Sequence, residues 1–318
     1  MKNFPEKIKL LFLPFIIISL SFLIIYTFLH WLITIKLGLL QDVNEEIFDY
    51  WVPFILPWII IPIFMWKNIN KLSFSEIYRR TIALYIFVPA MAIAIPTVIA
   101  VIYIRTATGK LTRITSSEQF DRAAMTKYYE LDSMYLDKDY YGSYWYYTTS
   151  GKYNEDRTFH EFIALPVMSS PSDTSAKEFS LWYGLVYEEE IDNDLEESVK
   201  DSLFISFRKR NKQNFMEADL YDVSFFDRIG TSPELKGLTE AIKYTELAGR
   251  SEPVILVPKY DSFESRSGHK LLWVFISFWL GAMAWFLMLL IKPFKDSEII
   301  KMSQMKKDNI LNPELNPY

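Results

Sequence analysis

LLFLPFIIISLSFLIIYTFLHWLITI, from Leu10 to Ile35, contains no Asp, Glu, Lys or Arg, and its reading decides the class of the whole chain. At about 1.5 Å of rise per residue, a helix of this length crosses a bilayer core of about 30 Å. It exceeds the short apolar region of a cleaved signal peptide, and no small-residue cleavage site follows it, so it reads as a retained span. Working outward, Trp51 to Trp66, Thr81 to Ile104 and Leu271 to Ile291 are equally apolar. Four transmembrane helices are therefore predicted, over residues 10–35, 51–66, 81–104 and 270–292. The second carries Pro53, Pro57 and Pro62, and the third Pro89 and Pro96. Proline removes a backbone donor and crowds the preceding turn, so the second span should be kinked, irregular or supported by neighbours. Pro53, Pro57 and Pro62 are on that ground candidate partner contacts.

Flanking cations set the orientation. Lys2, Lys7 and Lys9, then Lys67, Lys71, Arg79 and Arg80, then Lys292, Lys295, Lys301, Lys306 and Lys307 belong on the cytoplasmic side. Asp42, Glu45, Glu46 and Asp49 stand in a loop without a cation and belong outside. The expected location is a bacterial inner membrane, with both termini inside, residues 105–269 in the periplasm and residues 293–318 as a cytoplasmic tail.

The chain has no cysteine, which excludes disulfides, thiolate metal sites and cysteine nucleophiles. Its formal charge of -5 is concentrated: residues 105–269 hold 20 Lys/Arg against 29 Asp/Glu. An acidic domain excludes nucleic acid as the expected partner.

Within that domain, Lys127 to Leu136, Gly142 to Ser150, Thr158 to Val167 and Phe179 to Glu189 are rich in aromatic and β-branched residues and read as consecutive strands of an antiparallel meander. Gly151 to Asp156 reads as a hairpin loop and Ser169 to Thr174 as a further connection. Asp194 to Met216 and Leu238 to Leu247 have helical spacing, and Pro253 to Pro258 encloses a short buried strand. The fold class expected is a polytopic α-helical membrane protein with an inserted extracytoplasmic α+β domain built on an antiparallel sheet.

Candidate sites are few. The histidines are His30, His160 and His269, and there is no GxSxG, GxSG or HExxH sequence, so no catalytic residue, metal ligand or cofactor site is assigned. His30 lies near the outer end of the first span, where hydrogen bonding to a neighbouring helix is the plain reading. No convincing buried charge is legible in the spans, which counts against transport. The run Glu188, Glu189, Glu190, Asp192, Asp194, Glu196 and Glu197 lacks the glycine turn and spacing of a calcium loop and reads as a solvated connection. Arg208, Lys209, Arg210 and Lys212 read as a solvated helix face, with a docking patch the alternative. The densest feature is aromatic: Tyr140, Tyr141, Tyr144, Trp145, Tyr146 and Tyr147. Such residues suit a recognition surface for protein or peptide, and sheet packing is the default they must be weighed against.

Ala107 to Thr112 (ATGKLT), Gly151 to Asp156 (GKYNED), Phe226 to Gly230 (FDRIG) and Phe263 to Lys270 (FESRSGHK), with the pattern of spans, resemble the long N-terminal region of certain bacterial rhomboid-family intramembrane serine proteases. In that family a GxSG serine and a partner histidine follow within the membrane. Neither has a matching position here, so the resemblance implies a non-catalytic module that binds substrate, positions a partner or regulates one. The functional expectation is a non-enzymatic accessory or scaffold subunit of a Gram-negative envelope complex, in protein export or membrane-protein quality control. Its partners would be membrane lipid and other inner-membrane subunits. A regulatory or substrate-binding partner of a rhomboid-type protease and a periplasmic ligand sensor are the alternatives.

Overall fold

The computed structural model describes residues 3–39, 44–74, 79–115, 120, 126–171, 179–245 and 253–311. It divides into two compact units, one of Met1–Leu40, Glu46–Ala107 and Ser267–Tyr318, the other of Gln41–Glu45 and Thr108–Arg266.

The first unit is built from four helices long and apolar enough to cross a membrane: α1 (Phe4–Lys36), α2 (Ile47–Ile69), α3 (Thr81–Thr108) and, beyond the second unit in sequence, α6 (Lys270–Ile291). Leu11 and Phe15, Ile61 and Met65, Tyr85 and Ile93, and Trp285 and Leu289 interlock in its interior. Ile24, Ile25, Phe28, Ile63, Phe64, Trp279 and Leu280 face outward. Large aliphatic and aromatic side chains on the outside suit a hydrocarbon solvent, where outward burial costs nothing. Between α3 and α6 the backbones meet closely, because a Cβ on Gly281 would stand 2.6 Å from the Cβ of Ala92. Small residues at such a crossing let helices approach where lipid supplies no hydrophobic drive for association. The cation-bearing ends of these helices lie together. Lys7 Nζ donates to the Leu289 carbonyl at 2.6 Å, Asn68 Nδ2 to Leu10 at 2.9 Å, and the Lys295 amide to Lys71 at 2.9 Å. Helices α1 and α2 outrun the limits hydropathy gave them at both ends, α3 runs on to Thr108 and α6 keeps its expected limits; α2 begins at Ile47 rather than Trp51, and it runs unbroken through Pro57 and Pro62.

The second unit is a seven-stranded sheet in the order β1-β2-β6-β7-β5-β4-β3. Its strands are β1 (Leu111–Ile114), β2 (Tyr128–Leu131), β3 (Gly142–Ser150), β4 (Asp156–Pro166), β5 (Leu181–Asp192), β6 (Phe225–Arg228) and β7 (Val254–Lys259). The predicted antiparallel sheet is corrected to a mixed one, since β1 pairs with β2 and β5 with β7 in parallel. The meander itself is β3-β4-β5 alone. The first strand expected in it, within Lys127 to Leu136, is β2, which sits at the far side of the sheet between β1 and β6. A parallel β5/β7 pair needs a long crossover, and the chain supplies one containing β6 and two helices, α4 (Glu197–Glu217) and α5 (Pro233–Lys243).

Alternation along the strands gives the sheet two apolar faces. Ile163, Leu165, Tyr183 and Leu256 point toward Phe215 of α4, while Phe162, Ala164, Trp182 and Ile255 point toward Leu238 and Ala241 of α5. Period-two alternation with both sets apolar buries a strand on both sides, which is why β4 and β5 carry near-continuous hydrophobic runs. Helix α5 is capped by the Ser232 hydroxyl, which accepts from the Leu235 amide at 3.2 Å. The β3–β4 hairpin turns through Gly151 and Asn154, both at positive φ, residue types that tolerate it. The Ser169 to Thr174 connection lies partly outside the described residues. Past α6, the tail forms a further helix, α7 (Asp296–Leu311).

Candidate functional site

The aromatic cluster singled out by the sequence converges on one structural feature, the outer edge of the sheet. Strand β3 pairs with β4 along its full length, from Gly142 opposite Ala164 to Ser150 opposite Asp156, without a bulge. Its other edge pairs with nothing among the described residues. A free edge presents a row of backbone donors and acceptors, and proteins ordinarily blunt such rows with lysine, proline, bulges or a covering element. β3 has none of the first three: GSYWYYTTS contains no charge and no proline.

Its side chains alternate between the two faces. Trp145 and Tyr147 lie on the α4 side, where Trp145 meets Phe204 at 4.5 Å between ring centroids. There the Arg208 guanidinium stands 5.8 Å over Trp145 and that of Arg157 4.5 Å over Tyr147. Tyr144 and Tyr146 lie on the α5 side, stacked with Phe162 at 6.5 and 5.6 Å, and Tyr146 also stacks on His160 at 4.8 Å. Tyr140 belongs to the same α5-side cluster, and Tyr141 packs on Phe215 at 5.1 Å on the other face. Sheet packing therefore accounts for Tyr140, Tyr141, Tyr144 and Tyr146, whereas Trp145 and Tyr147 remain 42% and 53% exposed. Burial first, then the carboxylates of Glu234 and Glu188, push the Tyr146 phenol above its ordinary range, so it stays neutral.

Beneath the edge lies a polar node that the sequence did not announce. Glu161, 3% exposed, sits on β4 opposite Trp145 and accepts from Ser143 Oγ at 3.1 Å, Asn211 Nδ2 at 3.0 Å and Arg208 Nε at 3.3 Å. It ties α4 to the edge and explains part of the basic run: Arg208 serves Glu161, and Arg210 pairs with Glu189. Part of the acidic run is likewise paired, with Glu188 on His160 at 2.9 Å and Glu197 on Lys200 at 2.6 Å. Among the described residues no group of three or more His, Asp or Glu is placed to hold a metal ion.

The spans hold a second constellation, and it corrects the reading that they lack buried charge. Asp49, assigned to an outside loop by the sequence, lies inside α2 and is buried. Its carboxylate accepts from His30 Nε2 of α1 at 2.9 Å and from Arg105 Nη1 of α3. Tyr26, one turn before His30, stacks on the imidazole at 6.4 Å and donates to the Phe48 carbonyl at 2.7 Å. Two widened helical segments, Trp31–Lys36 directly after His30 and Ile47–Trp51 around Asp49, flank the node. Widened turns of this kind are rare and recur where a side chain must be re-aimed. Of the proline candidates in α2, Pro53 and Pro57 are buried and Pro62 is half-buried, so the first two serve packing within the unit rather than an outer surface.

No family model, curated protein or solved structure matches the chain. The likeness to rhomboid-family proteins thus rests on the quoted segments alone. These fall at the end of α3 and the start of β1, in the β3–β4 hairpin, on β6 with the turn after it, and immediately before α6.

Proposed function

We propose that the protein is a membrane-anchored scaffold whose sheet domain, on the extracytoplasmic side, binds protein by adding an extended segment along β3. The observation that carries this reading is the open edge: from Ser143 to Ser150, beyond the Gly142 that α5 buries, β3 is uncharged, unbulged and, among the described residues, paired on one side only. Strand addition draws affinity from main-chain hydrogen bonds and specificity from alternate side chains, and Trp145 and Tyr147 supply a fixed aromatic wall for the latter. An accessory role in an inner-membrane assembly follows from joining such an edge to four spans.

The test is photo-crosslinking in native membranes, with a benzophenone amino acid replacing Thr148 on the exposed edge or Lys236 on α5. A discrete protein adduct at 148 and none at 236 supports the reading. Equal, diffuse labelling at both positions, or none at either, refutes it.

A further inference from the structure

Resting on the reading of β3 as a strand-adding edge, we infer that its occupant is the β3 of a second copy of this chain, joined antiparallel about a two-fold axis through Tyr146. Hydrogen-bond geometry first restricts how such a pair can form. Outward-pointing backbone groups recur at every second residue, so two copies of one strand can pair only if outward residues oppose outward residues. In an antiparallel pair related by a two-fold axis, that parity requires the axis to pass through a residue and not between two. Gly142 is buried against Ala241 of α5, so the pairing starts at Ser143, and setting Ser143 opposite Thr149 selects Tyr146 as that residue.

Side-chain chemistry agrees with this register. Residue Trp145 then opposes Tyr147 of the other copy on the α4 face, an aromatic pair of the kind that stabilises sheets, and Tyr144 opposes Thr148 on the α5 face. Arg208 and Arg157 already hold Trp145 and Tyr147 from within the same chain, which reduces the ordering required on association.

Charge then favours a like partner over a foreign one. A strand that pairs with itself opposes its own residues, so a charged strand tends to set like charges face to face. Tyr140 to Gly151 is the longest run without a charge in residues 105–269, inside a region with 29 acidic residues against 20 basic ones. Two copies of an acidic domain repel least where charge is missing, and β3 lies in the longest such run. Copies anchored in one bilayer also share a side and an orientation, which raises their effective concentration for a symmetric contact.

The chain lacks cysteine, so introduced thiols report without background. The full chain would be expressed in native membranes as Tyr146→Cys, as Ser143→Cys/Thr149→Cys, and as Thr148→Cys alone, and then oxidised with copper phenanthroline. Positions 143 and 149 are about 20 Å apart along one strand, so a disulfide between them must join two chains. Positions 143 and 146 differ in parity, and one of the first two variants therefore places its thiols on a close, non-hydrogen-bonded pair. The expected result is a disulfide-linked dimer as the major species in at least one of these two, and little from Thr148→Cys, whose opposite residue is Tyr144. Dimer from none of the three, with a foreign protein still crosslinked at position 148, overturns self-pairing and leaves strand addition standing. The absence of both dimer and adduct overturns both. Equal dimer from all three overturns the Tyr146 register.

Discussion

Glu161→Ala is the perturbation that separates a built edge from a merely exposed one. The substitution removes an acceptor shared by Ser143, Asn211 and Arg208, and it leaves the Asn211 amide, 4% exposed, without the carboxylate it was folded around. An orphaned buried donor costs about 1–3 kcal/mol, and breaking a buried ion pair costs about 3–5 kcal/mol when both partners are enclosed. Arg208 is 41% exposed on its side chain and can turn to water, which discounts the second figure. A loss of about 3 kcal/mol is expected. For a unit of this size that lowers the unfolding temperature by about 6–12 °C. Glu161→Gln keeps one carbonyl acceptor and should cost about 1 kcal/mol. Near-ultraviolet circular dichroism of the full chain in detergent follows the transition in its tyrosine band, because 14 of the 20 tyrosines lie in residues 105–269, whereas seven of the nine tryptophans lie outside them. A Glu161→Ala protein within about 0.5 kcal/mol of the parent would refute the view that this node fastens α4 to the edge.

Gly281→Ala should lower the thermal stability of the helical unit by about 1–3 kcal/mol through overpacking against Ala92, and adding Ala92→Gly should recover part of it in the same melt. Asp49→Ala removes the acceptor common to His30 and Arg105 and should cost about 3 kcal/mol, read as a reduced yield of monodisperse protein after detergent extraction at a fixed temperature. Burial, then Tyr260, holds the Tyr183 phenol well above its ordinary range. The folded state therefore keeps a proton that the unfolded chain releases near pH 10, so the Tyr183 contribution is complete below about pH 10 and declines as pH rises past it. Denaturant melts at pH 8, 10 and 11 should show that decline, and Tyr183→Phe should flatten it.

Local patterns were legible where sequence neighbours make the structure. Gly142 to Ser150 has the same limits as sequence and as strand, because Gly151 and Asn154 make the turn that ends it. The sheet order was not legible. β6 is only FFDR between Ser224 and Ile229, and β1 only LTRI, each too short to show a period, yet both are needed to place β2. Lys127 to Leu136 has the composition of a meander strand, and nothing local reveals that it pairs with β6 instead of β3. Glu161 was hidden for a related reason: a single acid in an apolar strand reads as an interruption until Asn211 and Arg208 arrive from a helix about 50 residues on.

The same reasoning explains why the ionic node of the spans escaped the sequence and what it argues for. His30, Asp49 and Arg105 each stand near the end of a hydrophobic block, and hydropathy treats a polar residue there as a boundary. Asp49 thus became loop and Arg105 the first residue of a domain, although both are helical. Depth then decides what such charges can do. From Lys9 to His30 the helix rises about 32 Å, close to one hydrocarbon thickness, so with Lys9 at one interface His30 reaches the other and not the midplane. A carboxylate shared by histidine and arginine at that depth is far cheaper than one at the bilayer centre, where ion pathways need it. The node therefore argues for a clasp across the ends of α1, α2 and α3. The absence of buried charge, which counted against transport in the sequence, no longer does so.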